Sequence, residues 1–352
     1  MVDTSLIKIN SKNPESAKVQ LAAKIILSGG LVAFPTETVY GLGANGLNPI
    51  AIRRIFSAKG RPTNNPLIMH IGSIDDLNNI AEGVTERELT IAKKFWPGPL
   101  TLILKKSKNV PRISTGGLES VAVRIPNNKI SLSLIRAAGV PIAAPSANIS
   151  GKPSPTRASH VVEDLWGKVD LILDGGRSAI GLESSVIDLT SQIPVLLRAG
   201  GVPYEKIRKV VGEISIHPLV IHPEKCSMGH NGTHKSPGMR YKHYSPKAEL
   251  IIVEGSSSKV RNKIQELSNQ IRKFEGKKVC IMSRSRNYGY YADMIMYMGS
   301  DFKTSGRNLY DILRCADHNK VDVIIAEGME YKNLGLALMN RLKTAAKQVI
   351  KL

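Results

Sequence analysis

The chain has 352 residues, of which 42% are hydrophobic and 22% are charged, so a sizeable core is possible and two domains are expected. The formal net charge is +20 and is shared evenly, with +10 on each side of Glu213, which excludes a basic tail as its source. Such a charge favours anionic partners such as nucleotides or RNA, and a solvated basic surface explains it equally well.

The three cysteines, Cys226, Cys280 and Cys315, form no C-x-x-C pair and are odd in number. They argue against a disulfide framework and indicate a reducing compartment. The N-terminal segment lacks the apolar stretch of a signal peptide, and no apolar run reaches the ~18–20 residues of a membrane span. We therefore expect a cytoplasmic protein without a membrane contact.

Short apolar segments dominate the first two thirds of the chain. SAKVQLAAKIILSGG predicts a helix that stops at Gly29 and Gly30, LVAFP predicts a buried strand, and NPIAIRRIFSAKG predicts a helix opened by Asn48 and Pro49. Further strands are predicted at PLIMHI, GPLTLILKK, SVAVRIP, PIAAPSAN, VDLILDGG, SSVIDLT and VLLRAGG. Because strands outnumber helices, we expect a large twisted mixed sheet.

The last hundred residues follow a different pattern. AELIIVEG, KKVCIMSR and VDVIIAEG are apolar strands with helical stretches between and after them, the last being LALMNRLKTAAKQVI. This alternation predicts a smaller doubly wound domain with a parallel sheet, and no G-x-G-x-x-G fingerprint opens it. We therefore divide this α/β chain into a large domain at 1–212, a linker at 213–247 and a small domain at 248–352.

Two cations, Lys59 and Arg61, end a predicted helix and are followed by prolines. A planar guanidinium beside a compact ammonium suits the oxygens of a triphosphate, and the backbone N–H groups around Thr63 could add contacts. Alternatively, the two cations only complement the dipole at the helix C-terminus. The residues alone leave both interpretations open.

Polar side chains follow several of the apolar strands. Thr36 lies in the hydroxyl-rich turn FPTETVYGLGANG, and Ser146, Asn148 and Ser154 follow the strand in PIAAPSAN. Ligands of open α/β sheets bind beyond the carboxyl ends of the strands, so these residues are candidates for contacts to a polar ligand. Each of them, taken singly, also fits an ordinary turn.

Ionisable residues also occur within or at the ends of apolar strands. His70 lies in one such strand, where a core histidine is more common than a ligand. Arg124 ends another strand and Arg198 a third, the latter shortly after Ser184. A guanidinium in such a place is costly unless it meets an anion, and a structural salt bridge is the alternative for Arg124.

Several catalytic and metal motifs are missing from the sequence. It contains no P-loop, no G-x-S-x-G elbow and no H-E-x-x-H helix. Soft metal ligands do lie close together between the predicted domains, namely His217, His222, Cys226, His230 and His234. Their spacing matches no zinc finger and only one of them is a cysteine, so we do not expect a structural zinc ion.

Taken in order, FPTETVYGLG, KGR, WPGPLT, SAN, SGKPSPT and SPGMRYKHYSP resemble the two-domain threonylcarbamoyl-AMP synthases, and the resemblance covers nearly the whole chain. That family has an N-terminal YrdC-like catalytic domain and a smaller Rossmann-like C-terminal domain. The resemblance implies a nucleotidyltransferase that converts L-threonine, bicarbonate or CO2 and ATP into L-threonylcarbamoyladenylate and pyrophosphate. This reaction is the first step of N6-threonylcarbamoyladenosine formation at position 37 of tRNA.

The resemblance also implies roles for individual residues. Lys59 and Arg61 would be the catalytic cations. ATP contacts are expected from Lys59, Arg61, Thr63, Ser146, Asn148, Ser154, Arg198 and His234. Threonine contacts are expected from Thr36, His70, Arg124 and Ser184. Arg240 and Tyr241, in SPGMRYKHYSP, would belong to a lid that closes over the site, with a plain spacer as the alternative.

Further expectations concern cofactors and partners. The resemblance implies Mg²⁺ carried by ATP, no metal bound by protein side chains, no organic cofactor, and a separate transferase complex that uses the product. We expect a monomer with at most weak tRNA binding. The rival hypotheses are an RNA-binding protein, which the net charge would favour, and a regulatory nucleotide-binding protein without turnover.

Overall fold

The computed structural model of the protein describes residues 2–225, 235–236, 244–286 and 288–352, and the side chain of Lys225 is not described. These residues form two sheets, one of eleven strands and one of five. None of the helices in these ranges combines the length and the apolar character that crossing a bilayer requires.

The large sheet is built from the first two thirds of the chain. Its strands are β1 (Ser5–Lys8), β2 (Val32–Phe34), β3 (Gly41–Asn45), β4 (Ile68–His70), β5 (Leu100–Lys105), β6 (Ser120–Arg124), β7 (Ile142–Ala143), β8 (Leu171–Asp174), β9 (Ser185–Asp188), β10 (Val195–Arg198) and β11 (Ser215–Ile216). They lie in the order β1-β8-β2-β3-β7-β4-β6-β5-β9-β10-β11. Parallel pairs such as β5–β9 adjoin antiparallel pairs such as β5–β6. The predicted large mixed sheet is confirmed.

The helices of this part cover and edge the sheet. They are α1 (Ser16–Leu27), α2 (Pro49–Lys59), α3 (Leu77–Ile80), α4 (Glu86–Phe95), α5 (Lys129–Ala138), α6 (Ala158–Leu165), α7 (Tyr204–Val211) and α8 (Pro218–Ile221). As its sequence predicts, α2 is opened by Asn48, whose side chain accepts hydrogen bonds from the first-turn amides. Gly60, with φ of 61°, ends it in the left-handed conformation.

The segment predicted as a linker starts with regular structure. β11 pairs in parallel with β10, and α8 follows directly. These residues therefore extend the large sheet before the chain leaves it.

The small sheet belongs to the last hundred residues. Its elements are β12 (Glu249–Glu254), α9 (Ser257–Glu275), β13 (Val279–Ser283), β14 (Met294–Tyr297), α10 (Phe302–His318), β15 (Val323–Glu327), α11 (Gly335–Ala345) and β16 (Gln348–Lys351). The strand order is β14-β13-β15-β12-β16, and all pairs are parallel. The predicted second domain with a parallel sheet is confirmed.

One element differs from the sequence prediction. The apolar periodicity of LALMNRLKTAAKQVI extends the last helix to Ile350, but α11 ends at Ala345 and the following residues form β16. The helix prediction is wrong here because β16 pairs with the open edge of β12. The backbone hydrogen bonds formed in that pairing stabilise the strand more than local helix propensity stabilises a longer helix.

The two parts of the chain are packed together tightly. Buried apolar side chains of α10 and α11 belong to the same core cluster as those of the large sheet. A Cβ on Gly181 would lie 2.6 Å from the Cα of Arg307, and a Cβ on Gly306 would lie 3.1 Å from Leu182. Glycine is therefore required at Gly181, where α10 approaches the backbone of the large domain.

Candidate active site

One cavity at the strand ends of the large sheet collects most of the residues singled out in the sequence. The predicted site residues that line it are Thr36, Arg61, His70, Arg124, Ser146, Asn148, Ser154, Ser184 and Arg198. Lys59 contacts two of them, whereas Thr63 is exposed and does not line the cavity. His234, Arg240 and Tyr241 lie outside the described residues.

Lys59 joins the end of α2 to the loop after β7. It is only 2% exposed, and its Nζ donates to the carbonyl oxygens of Ser146, at 2.6 Å, and of Asn148. Ser150 N donates to Lys59 O at 2.9 Å, which fastens the same two segments. Two of the three ammonium hydrogens are thus engaged, and the third has no partner among the residues described. The KGR and SAN segments, far apart in sequence, form one structural unit.

The charge of Lys59 depends on what enters the cavity. Burial lowers the pKa of Lys59 well below its usual value, the nearby Arg61 lowers it further, and Asp164 raises it. An anion placed beside the ammonium favours the charged form and opposes the effect of burial. Lys59 is therefore suited to an anionic ligand and poorly suited to remain charged without one.

The guanidinium of Arg61 is held by the loop that follows α2. Its Nε donates to Asn65 O at 3.3 Å, and its Nη2 donates to Pro66 O at 3.0 Å. The side chain lines the cavity in this position. A guanidinium whose plane is fixed in advance loses less conformational entropy when it binds a phosphate.

Arg124 meets the turn that follows β2. Its Nη2 lies 2.6 Å from Glu37 Oε1, although the two groups are not aligned as in a hydrogen bond. Its Nη1 donates to Thr38 Oγ1 at 3.0 Å, and Thr38 Oγ1 lies 2.7 Å from Thr36 Oγ1. The structural salt bridge considered from the sequence is therefore present. The salt bridge and these hydrogen bonds together hold Arg124, Thr36 and Thr38 at the wall of the cavity.

His70 ends β4 and is buried beside Arg124. Burial and, to a lesser extent, the nearby charge of Arg124 lower the pKa of His70 to about 3. Its Nδ1 lies 3.2 Å from Ile68 O, and its ring makes an edge contact with Phe34. The imidazole is therefore neutral near pH 7 and can serve as a hydrogen-bonding group but not as a cation.

Ser184 and Arg198 form another wall of the cavity. Arg198 Nε donates to Ser184 O, and Arg198 Nη2 donates to Ser184 Oγ, both at 3.0 Å. Ser184 Oγ also lies 2.7 Å from the hydroxyl of Thr101 on β5. The end of β10 and the segment before β9 are thus fixed together.

Several lining residues were not singled out as site residues from the sequence, among them Lys152, Glu183 and Tyr244. Lys152 lies in the SGKPSPT segment, and its position two residues before Ser154 was an available signal. Tyr244 belongs to the SPGMRYKHYSP segment, in which only Arg240 and Tyr241 were expected to close over the site. Glu183 carries no local signal, because two of its partners lie 127 and 158 residues away along the chain.

Tyr244 brings the end of the linker into the cavity wall. It is 8% exposed and has a positive φ of 63°, which is unusual for a residue with a side chain. Its ring stacks on Tyr310 with centroids 5.6 Å apart, and Arg341 lies 5.1 Å from its ring centre. The described end of the linker is therefore held against both domains at the cavity.

The cavity walls carry an excess of cations. Arginine or lysine side chains come from four lining positions: Arg61, Arg124, Lys152 and Arg198. Among the described lining residues, Glu183 alone is acidic. No three His, Cys, Asp or Glu side chains within the described ranges cluster as metal ligands, and Cys226, His230 and His234 of the metal candidates lie outside those ranges. The walls suit an anionic ligand.

Comparisons with known proteins agree with this geometry. Residues 24–200 match the Sua5, YciO and YrdC family model, described as telomere recombination. Residues 202–347 match the model of the threonylcarbamoyl-AMP synthase C-terminal domain. The chain belongs to the two-domain threonylcarbamoyl-AMP synthase family. The resemblance stated from the sequence motifs is therefore confirmed.

Relatives in this family match along nearly their whole length. The threonylcarbamoyl-AMP synthase of Pyrococcus abyssi is 54% identical over 94% of this chain and 95% of the relative. That of Bacillus subtilis is 45% identical over 96% and 95%. The crystal structure of P. abyssi Sua5 complexed with L-threonine superposes with a TM-score of 0.93 over 99% of both chains, at 53% identity. The prediction of a nucleotidyltransferase-type enzyme is confirmed by these threonylcarbamoyl-AMP synthases.

Proposed function

We propose that this protein makes L-threonylcarbamoyl-AMP from L-threonine, bicarbonate or CO2, and ATP, with release of pyrophosphate. The product would be used by a separate transferase in N6-threonylcarbamoyladenosine formation on tRNA. Membership of the synthase family supports this proposal, and so does the threonine-bound relative of the same fold. The structural observation that carries it is the unit of Lys59, Arg61 and the SAN loop at a cavity with an excess of cations.

The reaction needs positioning and charge neutralisation more than a protein nucleophile. The threonine amine adds CO2 and loses a proton to give a carbamate. A carbamate oxygen then attacks the α-phosphorus of ATP, and the bond from that phosphorus to the α,β-bridging oxygen breaks. The product is a mixed anhydride and the leaving group is pyrophosphate. No covalent enzyme intermediate is required.

The described residues divide between the two substrates. Lys59 and Arg61 would neutralise the triphosphate, and Ser146 and Asn148 would lie near the reacting phosphate. Mg²⁺ would enter with ATP and neutralise further phosphate charge. The walls fit a metal bound to phosphate better than a metal held by the protein, because the carboxylate of Glu183 is already engaged by Arg341, Tyr310 and Ser154.

The threonine end would lie around the turn after β2, the ends of β4 and β6, and the start of β9. Arg124 offers charge to the threonine carboxylate, while Thr36 and Ser184 offer hydroxyl groups. Neutral His70 would add a hydrogen-bonding group without a second positive charge. Such a wall distinguishes the zwitterionic amino acid from a simple anion.

A pyrophosphate-release assay tests the proposed function. With ATP and bicarbonate present, we expect release to depend on L-threonine and to fall to background when threonine is omitted. Release at the same rate without threonine would contradict the proposal and would indicate ATP hydrolysis. The assay also separates a synthase from a nucleotide-binding protein without turnover, which would release no pyrophosphate.

A further inference from the structure

The small domain contacts the nucleotide end of the cavity through α10 and α11. The contacts converge on the 152–157 loop (KPSPTR), which carries Ser154 between β7 and α6. Arg314 on α10 donates from Nη2 to Pro153 O at 2.6 Å. The same nitrogen donates to Asp164 Oδ2 at 2.7 Å, and Asp164 Oδ1 accepts from Lys152 Nζ at 2.8 Å.

A second contact of α10 holds the far end of the loop. Asp311 Oδ1 accepts from Thr156 Oγ1 at 3.0 Å, and Asp311 Oδ2 lies 3.4 Å from Arg157 Nε and 2.5 Å from Arg177 Nη2. The carboxylate therefore ties α10 both to the loop and to the segment before β9.

Ser154 is held through a buried carboxylate. Its hydroxyl donates to Glu183 Oε1 at 2.6 Å. Tyr310 on α10 donates to the same carboxylate at 2.9 Å, and Arg341 on α11 donates to Glu183 Oε2 at 2.8 Å. Burial raises the pKa of Glu183, but Arg341, Arg198 and Ser154 together bring it below its usual value, so the group is ionised.

This arrangement restricts what Ser154 can do. A hydroxyl has one hydrogen, and Ser154 has given it to Glu183, so toward a ligand its oxygen can only accept. A phosphate oxygen has no hydrogen to donate to it. A ribose hydroxyl or the amino group of adenine does, so Ser154 is suited to the nucleoside part of ATP rather than to its phosphates.

The contacts are built to be rigid. Tyr310, Arg314 and Arg341 are at most 3% exposed, and each has its charged or polar head paired within the interface. The close approach of α10 at Gly181 leaves no room for the helix to shift inward. Buried charges are costly unless they are paired and hydrogen-bonded. Separating the domains would remove the partners of these charges and would therefore cost considerable free energy.

Resting on the proposed function, we propose that the small domain is a positioning element of the ATP site. Tyr310, Asp311 and Arg314 on α10, with Arg341 on α11, fix the 152–157 loop and orient Ser154 as an acceptor for the nucleoside. They are positioning residues, because each acts through Glu183 or the loop. The doubly wound domain then needs no ligand of its own to affect the reaction.

The test variant is Tyr310→Phe, which keeps the ring that stacks on Tyr244 and removes the hydroxyl bound to Glu183. Losing a hydrogen bond to a charged group should raise KM for ATP about tenfold. KM for threonine should stay within about twofold, since the threonine wall is held by other contacts. The matched control is Lys303→Ala, an exposed position on the same helix, which should leave both KM values unchanged. Equal increases in both values, or none, would overturn the proposal.

Two measurements without turnover keep this test separate from the proposed function. Equilibrium dialysis should show the same loss of ATP affinity in Tyr310→Phe. Hydrogen exchange should be faster in the 152–157 loop and unchanged in β12 and β15. If wild-type protein released no pyrophosphate, the proposed function would be wrong. The dialysis and exchange results would still test the positioning role, because neither depends on turnover. Wild-type ATP affinity together with wild-type exchange in the loop would reject it.

If Tyr310→Phe does not fold, Asp311→Asn serves the same purpose, because Asp311 is partly exposed and removal of its charge leaves the Glu183 network intact. It should also speed exchange of the 152–157 loop and weaken ATP binding.

Rescue is a further expectation: Arg314→Lys, which retains a donor for Pro153 O, should lose less ATP affinity than Arg314→Met. Equal affinity in the two Arg314 variants, with unchanged loop exchange in Asp311→Asn, would contradict the inference.

Discussion

The strand ends of the two sheets use arginine in opposite ways. In the large sheet, Arg124 and Arg198 are buried and hydrogen-bonded at the cavity wall. In the small sheet, Arg284 and Arg286 follow β13 and lie over the rings of Phe302 and Tyr297, at 5.5 and 4.8 Å from the ring centres. Arg286 is exposed, and Arg284 is partly so.

The difference shows which sheet is prepared for an anion. Burying arginine costs free energy unless partners and ligands compensate, so a cluster of buried cations indicates a site organised in advance of binding. An arginine in contact with water and an aromatic ring carries no such cost. This difference agrees with the proposal that the small domain acts through its helices α10 and α11 rather than through the carboxyl edge of its sheet.

The largest effect is expected from breaking a buried ion pair at the domain interface. Arg341→Met leaves the buried Glu183 without its closest cation and should lower the free energy of unfolding by about 3–5 kcal/mol. The control is Lys332→Met, whose partner Glu330 lies 3.3 Å away with both side chains at least 70% exposed; it should change stability by less than about 1 kcal/mol. Urea denaturation measures both. Equal losses would remove the distinction between buried and exposed charges.

Next in size is the loss of the lysine between α2 and the SAN loop. Lys59→Met should lower kcat/KM for ATP about 30- to 1000-fold, or ~2–4 kcal/mol, because a preorganised charge at the phosphates is lost. Arg286→Met removes a cation from the strand ends of the small sheet and should leave kcat/KM unchanged. The assay is threonine-dependent pyrophosphate release. A similar loss in both variants would mean that general charge, not the cavity, drives the reaction.

A smaller effect concerns acid stability. His70 binds a proton below pH 6.5 in the unfolded chain but only near pH 3 in the folded protein. The unfolded state therefore gains protons first as the pH falls, and stability decreases. Between pH 7 and pH 5 the loss from this group should be about 2 kcal/mol. His70→Asn, which does not titrate in this range, should lose that much less in urea denaturation over the same interval. An identical pH dependence in both proteins would show that His70 is not buried as described.

The smallest effect is expected at Thr63. It was expected to hold phosphates together with Lys59 and Arg61, but it is exposed and does not line the cavity. Thr63→Ala should therefore leave kcat/KM for ATP within about twofold, because no transition-state contact is removed. A loss as large as that of Lys59→Met would show that the loop after α2 moves Thr63 to the phosphates when ATP binds.

The sequence predicted the two sheets because strand patterns and turn residues are local signals. It also predicted that Lys59, Arg61, Ser146 and Asn148 act together, because their segments resemble those of a known family. It did not predict that Lys59 binds the carbonyl groups of the SAN loop, since that contact joins residues 87 apart. β16 was missed because a helical pattern runs into it, and only the open edge of β12 makes it a strand.

Glu183 shows the limit most clearly. Within GLESSVIDLT it looks like any acidic residue near a turn. Its importance comes from Ser154, Tyr310 and Arg341, which only the assembled domains bring together. No periodicity or spacing encodes such a contact, and a single sequence offers no covarying pairs to reveal it.

The most direct test of the central claim is the mass of the product formed from labelled substrate. Incubation with ATP, L-threonine and ¹³C-bicarbonate should give a threonylcarbamoyl adenylate that carries one ¹³C atom, and that species should be absent when threonine is omitted. An unlabelled adenylate of threonine itself, or AMP and ADP without any threonine-containing product, would contradict the proposed function.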